Sequence, residues 1–149
     1  MSNRRRAREM ALRAAYALEL SGNSVEQTLQ DIILNHDHLS ETVKNFASEL
    51  FQLAHKHGHQ IDDFIKQKAL NWDFSRIAIL DKLILRLAIC EFLYFEDIPP
   101  KVSIDEAIEI SKKYSTEKSG KFINGILDSV LFDLREQGIL AKKGRGLIE

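Results

Sequence analysis

Residues 4–16 carry Arg4, Arg5, Arg6, Arg8 and Arg13 against one acid, Glu9, and end on Tyr16. A guanidinium stays charged and binds phosphate bidentately. A tyrosine on the same arc offers a base a stacking face. At about 100° per residue, Arg5, Arg6, Arg13 and Tyr16 share one arc, with Glu9 among them. A second set lies downstream: Lys112-Lys113-Tyr114, then Lys118, Lys121 and Phe122. Cations interleaved with aromatics suit single-stranded nucleic acid, charge for the backbone and rings for the bases. Each set also has a plain reading. The arginines can be a solvated basic face, and Phe122 fits a core stripe.

Other reactive side chains make weaker patterns. Five histidines are present, and His55 and His59 form the single i, i+4 pair among them. Gly58 interrupts that pair and no carboxylate completes a zinc-protease motif, so a polar helix end is expected and no metal. Asp62-Asp63 and Asp105-Glu106 are paired carboxylates. The second pair fits the first turn of a helix, where the dipole favours negative charge. No phosphate-cradling glycine loop, nucleophile elbow or Cys/His nucleophile pattern occurs, so neither an enzyme nor a cofactor is expected.

The elements that must position these residues are helical. The chain has 149 residues, 44% hydrophobic and 29% charged, with only 7 Gly and 2 Pro. That composition suits long helices and one domain, or two small lobes. Its net charge of −1 points to no partner in bulk. The lone cysteine, Cys90, cannot form an internal disulfide and reads as a small core residue in a reducing compartment. No apolar segment follows the basic N-terminus, so a signal peptide is not expected. Charges interrupt the apolar run 77–95, which reads as a central core helix rather than a membrane span.

Helical periodicity predicts a first helix over 4–20, stopped at Ser21-Gly22-Asn23. Ser24 with Gln27 can box-cap a second helix. Further helices are expected from Glu41, over 60–70 and over 76–95, with a break at 71–75. Val43, Phe46, Ala47, Leu50, Phe51 and Ala54 should face inward on the third. Ser103-Ile-Asp-Glu106 reads as a capping box for the next helix. Ser115–Gly120 is a break or a frayed start, and the last helix ends at Gly138. The expectation is all-α: about seven helices in two packed subdomains, roughly 1–72 and 73–138, with a loosely ordered tail at 139–149.

KFINGILDSVL, residues 121–131, holds Asn124-Gly125, a strong hairpin signal. Its apolar residues instead fall at helical spacing. A helix there implies that something approaches Gly125 closely. The glycine costs roughly 1 kcal/mol of helix propensity against alanine. Asn124 then bonds either a neighbouring backbone or a ligand.

Three segments together resemble the NusB family of bacterial transcription antitermination factors: RRRAREMALRAAYALEL at 4–20, LDKLILRLAICEFLYFEDIPPKVSIDEAIEISKKYS at 80–115, and KFINGILD at 121–128. The resemblance covers nearly the whole chain, and residues 22–70 add little to it. It implies a two-lobed helical fold in the cytoplasm. It also implies binding of boxA, a single-stranded element of nascent transcripts, especially those of ribosomal RNA operons. The implied partner is NusE, a small-subunit ribosomal protein, and the pair would join elongating RNA polymerase. On that pattern Arg4–Arg8 grip phosphates, and Tyr16 lies near both RNA and partner. Tyr114, Lys118, Lys121, Phe122 and Asn124 continue the RNA surface, while Asp81 and Ile84 face NusE. The chain departs from the family at Asp105, Ile123 and Lys118. The last position is often acidic, and a lysine there favours RNA. Relatives are monomers or homodimers, and a homodimer stays open. The alternatives are a helical interaction module that binds no RNA, and a small hydrolase using the histidines.

Overall fold

A computed structural model describes residues 3–69 and 73–148. Leu70, the expected end of the helix over 60–70, and Asn71 and Trp72, the start of the expected break, lie outside the described residues. Among the described residues there are seven α-helices and no strand: α1 Asn3–Ser21, α2 Val25–Thr28, α3 Glu41–Lys56, α4 Gly58–Lys68, α5 Ile79–Tyr94, α6 Pro100–Tyr114 and α7 Glu117–Glu136. A π-helical turn, Leu29–Leu34, continues α2. The chain forms two compact units, one running to Lys56 and the other from His57 onward. The sequence suggested a division near residue 72. The structure places α4 with the second unit, where it packs on α5 and α7.

In the first unit α1 packs on α3. Ala7, Ala11 and Ala14 on α1, and Ala47 and Ala54 on α3, are all buried. Small side chains at these positions bring the two backbones close. Gly22, with φ of 71°, ends α1 as expected. The Ser24 hydroxyl accepts from the Gln27 amide, so half of the expected capping box forms. The Gln27 side chain instead donates to Asp31 Oδ1.

In the second unit α5 is the centre. Every residue from Leu83 to Phe92 is buried except the half-buried Arg86. Arg86 reaches α4 through a two-pronged pair, Nε to Asp62 Oδ1 at 2.6 Å and Nη2 to Asp62 Oδ2 at 2.7 Å. Asp62 is therefore a structural anion. The α6 helix starts at Pro100, with Pro99 before it. Ser103 is thus no cap. It is buried and donates to the buried Glu91 Oε1 at 2.8 Å. A buried carboxylate needs such a donor, and that tertiary demand outweighs the local capping pattern.

The tail is docked rather than loose. Lys142 Nζ donates to the Glu91 and Phe95 carbonyls at 2.9 and 2.7 Å. These carbonyls lie at the C-terminal end of α5, where the Phe95 and Ile98 amides also donate to them, so Lys142 adds a second donor to each. The Lys143 amide donates to the Glu96 carbonyl, and Gly146 is buried against that same carbonyl. A Cβ at Gly146 would collide with it. Gly146→Ala should therefore release residues 142–148 while the helices stay folded, read as loss of amide protection confined to the tail. Burial pulls the Lys142 ammonium down to about 8, against the pull of Glu91, Asp97 and Glu96. An undocked Lys142, titrating near its ordinary 10.5, stays protonated between about 8 and 10.5 where the docked one does not. Docking should thus strengthen as pH rises through that window and be weaker below it. The Gly146 amide resonance, followed against pH, reports it.

Gly125 is exposed, and nothing stands within 4 Å of where a Cβ would lie. The close helix approach lies at Gly120 instead, where a Cβ would stand 3.5 Å from Ser111 Oγ of α6. Gly125→Ala should therefore stabilise the protein by about 1 kcal/mol through helix propensity. A thermal melt checks the sign.

Candidate nucleic-acid interface

The second cationic set is built on the turn between α6 and α7. Thr116 caps α7 by accepting from the Ser119 amide at 3.2 Å. Ser115 Oγ donates to Asp81 Oδ1 at 3.0 Å, and Ser119 Oγ donates to Asp81 Oδ2 at 2.9 Å. The two hydroxyls lie 2.8 Å from each other. One buried carboxylate on α5 thus pins both ends of the turn. The helix it anchors presents Lys118 and Lys121 to solvent, with Phe122 half-exposed. Tyr114, at the end of α6, is half-exposed, and Lys113 Nζ sits 5.5 Å from its ring centroid. Asn124 is exposed.

Asp81 is only 7% exposed and Ile84 only 2%. Their places are therefore inside the second unit. Asp81 is held by two serine hydroxyls, and Ile84 lies on the packed face of α5. Neither presents the surface that the resemblance implied for a protein partner. Asp81 instead positions the residues around it. Sequence spacing could not reveal this, because its serines lie on a different element.

The first set sits on α1. Arg4 and Arg13 are exposed, Arg5 and Arg6 are half-buried, and Tyr16 is 36% exposed. Arg8 is 4% exposed, so it is not a phosphate grip. Its guanidinium lies 5.5 Å from the ring centroid of Phe46, and that of Arg4 lies 4.9 Å from the same ring. Phe46, expected in the core, is half-exposed and forms a platform on α3 for two arginines one turn apart. Glu9 is buried rather than on the solvent arc.

The histidines do not assemble. His36 and His38 meet edge-on, their ring centroids 6.0 Å apart, and His57 stacks on Tyr94 at 4.2 Å. Among the described residues no three His, Cys, Asp or Glu side chains come together as metal ligands. No helix among them is long and apolar enough to cross a membrane. Cys90 is buried and forms no disulfide among the described residues.

A cleft of about 200 Å³ opens between the start of α5 and the start of α7. Arg76, Ile77, Ala78, Asp81, Lys118, Ser119 and Phe122 line it. Spacing in the sequence gave no reason to single out Arg76. It lies in a short 3-10 turn, Phe74–Arg76, too short for periodicity to reveal.

Comparison with known proteins gives a consistent result. The chain is 45% identical over 148 residues to the transcription antitermination protein NusB of Salinibacter ruber, covering 99% of this chain and 92% of that protein. A solved structure of NusB from T. maritima superposes with a TM-score of 0.81 at 37% identity, covering 87% of this chain and 91% of that one. A crystal structure of the antitermination factors NusB and NusE in complex with double-stranded RNA shares the fold, with a TM-score of 0.80 at 24% identity over 89% of this chain and 98% of that one. The NusB family profile matches residues 5–132, and the chain belongs to the NusB family.

Proposed function

We propose that this protein is a cytoplasmic transcription antitermination factor that binds single-stranded boxA RNA of nascent ribosomal RNA transcripts together with NusE. The pair then joins elongating RNA polymerase. The observation that carries the reading is the Asp81-pinned start of α7. It fixes Lys118 and Lys121 beside the half-exposed Phe122, which supplies backbone charge and a base-stacking ring on one rigid helix. The arginines on the outer face of α1, with Tyr16, supply a second set of phosphate contacts. A solved complex of NusB and NusE with double-stranded RNA, which shares this fold, supports NusE and RNA as classes of partner. Lys118 adds an exposed cation to this face.

Filter binding of boxA-like RNA, with and without NusE, tests the reading. Tyr114→Ala and Phe122→Ala should each weaken binding by roughly 1–3 kcal/mol, the range for one stacked base. Neither should change the slope of log affinity against log salt, because neither removes a charge. If Phe122→Ala melts early and its folded fraction binds RNA normally, the ring serves packing. If the protein binds NusE and no RNA, it is an interaction module with a solvated basic face.

A further inference from the structure

The first turn of α1 holds Arg4, Arg5 and Arg6 and no acid. A helix N-terminus carries partial positive charge, so three cations there stand against the dipole. Natural sequences break such local rules at functional surfaces and compensate elsewhere. The fold supplies one compensation on α3. Phe46 is half-exposed, and the guanidinium carbon of Arg4 lies 4.9 Å from its ring centroid. Arg8, one turn further along α1, lies 5.5 Å from the same centroid and is 4% exposed. Both distances fall within the roughly 6 Å over which a ring face attracts a cation.

The two arginines differ in what they can do. Arg8 is enclosed and does not reach a phosphate in solution. Arg4 touches the ring and is exposed. An arginine side chain loses much rotamer freedom when a ligand fixes it. Contact with Phe46 removes part of that freedom before the ligand arrives and leaves the charge intact. A leucine at position 46 would cover similar apolar surface between α1 and α3 and would attract no guanidinium, so packing alone does not call for a ring. We propose that Phe46 is a positioning residue for RNA: its ring holds the Arg4 guanidinium in place for a backbone phosphate, while the enclosed Arg8 ties the same ring to α1. This rests on the reading of the α1 face as an RNA surface, and it gives a role to a residue of α3 that acts through Arg4.

The test is a double-mutant cycle on the intact protein, read by fluorescence anisotropy with a boxA-like single strand. Phe46→Leu should weaken binding roughly 2- to 12-fold, the cost of ordering one long side chain on association. The slope of log affinity against log salt should hold, because no charge is removed. Arg4→Ala should flatten that slope by about 0.7. In the Arg4→Ala background Phe46→Leu should cause no further loss, since the ring then has no phosphate contact to position. Phe46→Tyr keeps a ring and should bind like the parent. A purely structural role for Phe46 would not produce this coupling. Full affinity in Phe46→Leu, or the same loss in both backgrounds, overturns the inference while RNA binding stands. If Phe46→Leu melts early, the unaltered protein decides: NMR without RNA should show Arg4 side-chain protons shifted by the ring current and restrained in motion, and a freely mobile, unshifted Arg4 overturns the inference. If the parent binds no RNA, the α1 surface and the role of Phe46 fall together.

Discussion

Asp81→Lys should unfold the α6–α7 turn and lower the melting temperature by roughly 10 °C, at about 2–4 °C per kcal/mol for a chain of this size. The native carboxylate is 7% exposed and accepts from Ser115 and Ser119. A lysine there leaves both hydroxyls without their acceptor. It also places a cation in a cleft that already holds Arg76 and Lys118. Leaving an uncompensated charge in a buried site costs about 3–5 kcal/mol. RNA binding should fall with it, because the turn that aims Lys118, Lys121 and Phe122 loses its pin. A variant that melts like the parent and loses only NusE would place Asp81 in a protein interface instead.

Replacing Arg5, Arg6 and Arg13 together by alanine should weaken RNA binding more than tenfold at moderate salt. It should also flatten the log–log salt slope by about 2, at about 0.7 per single-strand phosphate contact. The loss should be similar for all sequences, since phosphate contacts carry no base identity. Arg8→Ala is the contrast. Arg8 is buried beside Phe46, so its loss should lower the melting temperature and leave the slope nearly unchanged. An unchanged slope in the triple variant would mean that the α1 arc does not touch RNA.

Helices and their ends were legible in the sequence because their causes are local. Gly22 and Gly138 adopt positive φ at the two helix stops that periodicity marked. The apolar run around Cys90 is the central helix. What was illegible depended on partners distant in sequence. Arg8 has the same side chain as Arg5, and only the fold sets it against the ring of Phe46 on another helix. Ser103 sits in a capping pattern, yet Glu91 of the preceding helix claims its hydroxyl. Lys142 reads as part of a polar tail, because its acceptors are backbone carbonyls that no residue type announces. At the candidate site, Lys118, Lys121 and Phe122 were visible as a cation–aromatic set. Arg76 as a cleft residue and the burial of Asp81 against the α6–α7 turn emerged only from the fold.

The most direct test is RNA affinity measured with NusE present, comparing a boxA-bearing single strand with a scrambled strand of equal length and composition. The account predicts that the boxA strand binds more tightly, that NusE strengthens this binding, and that Phe122→Ala weakens both strands by a similar factor. Equal affinity for both strands, with no change on adding NusE, would contradict it.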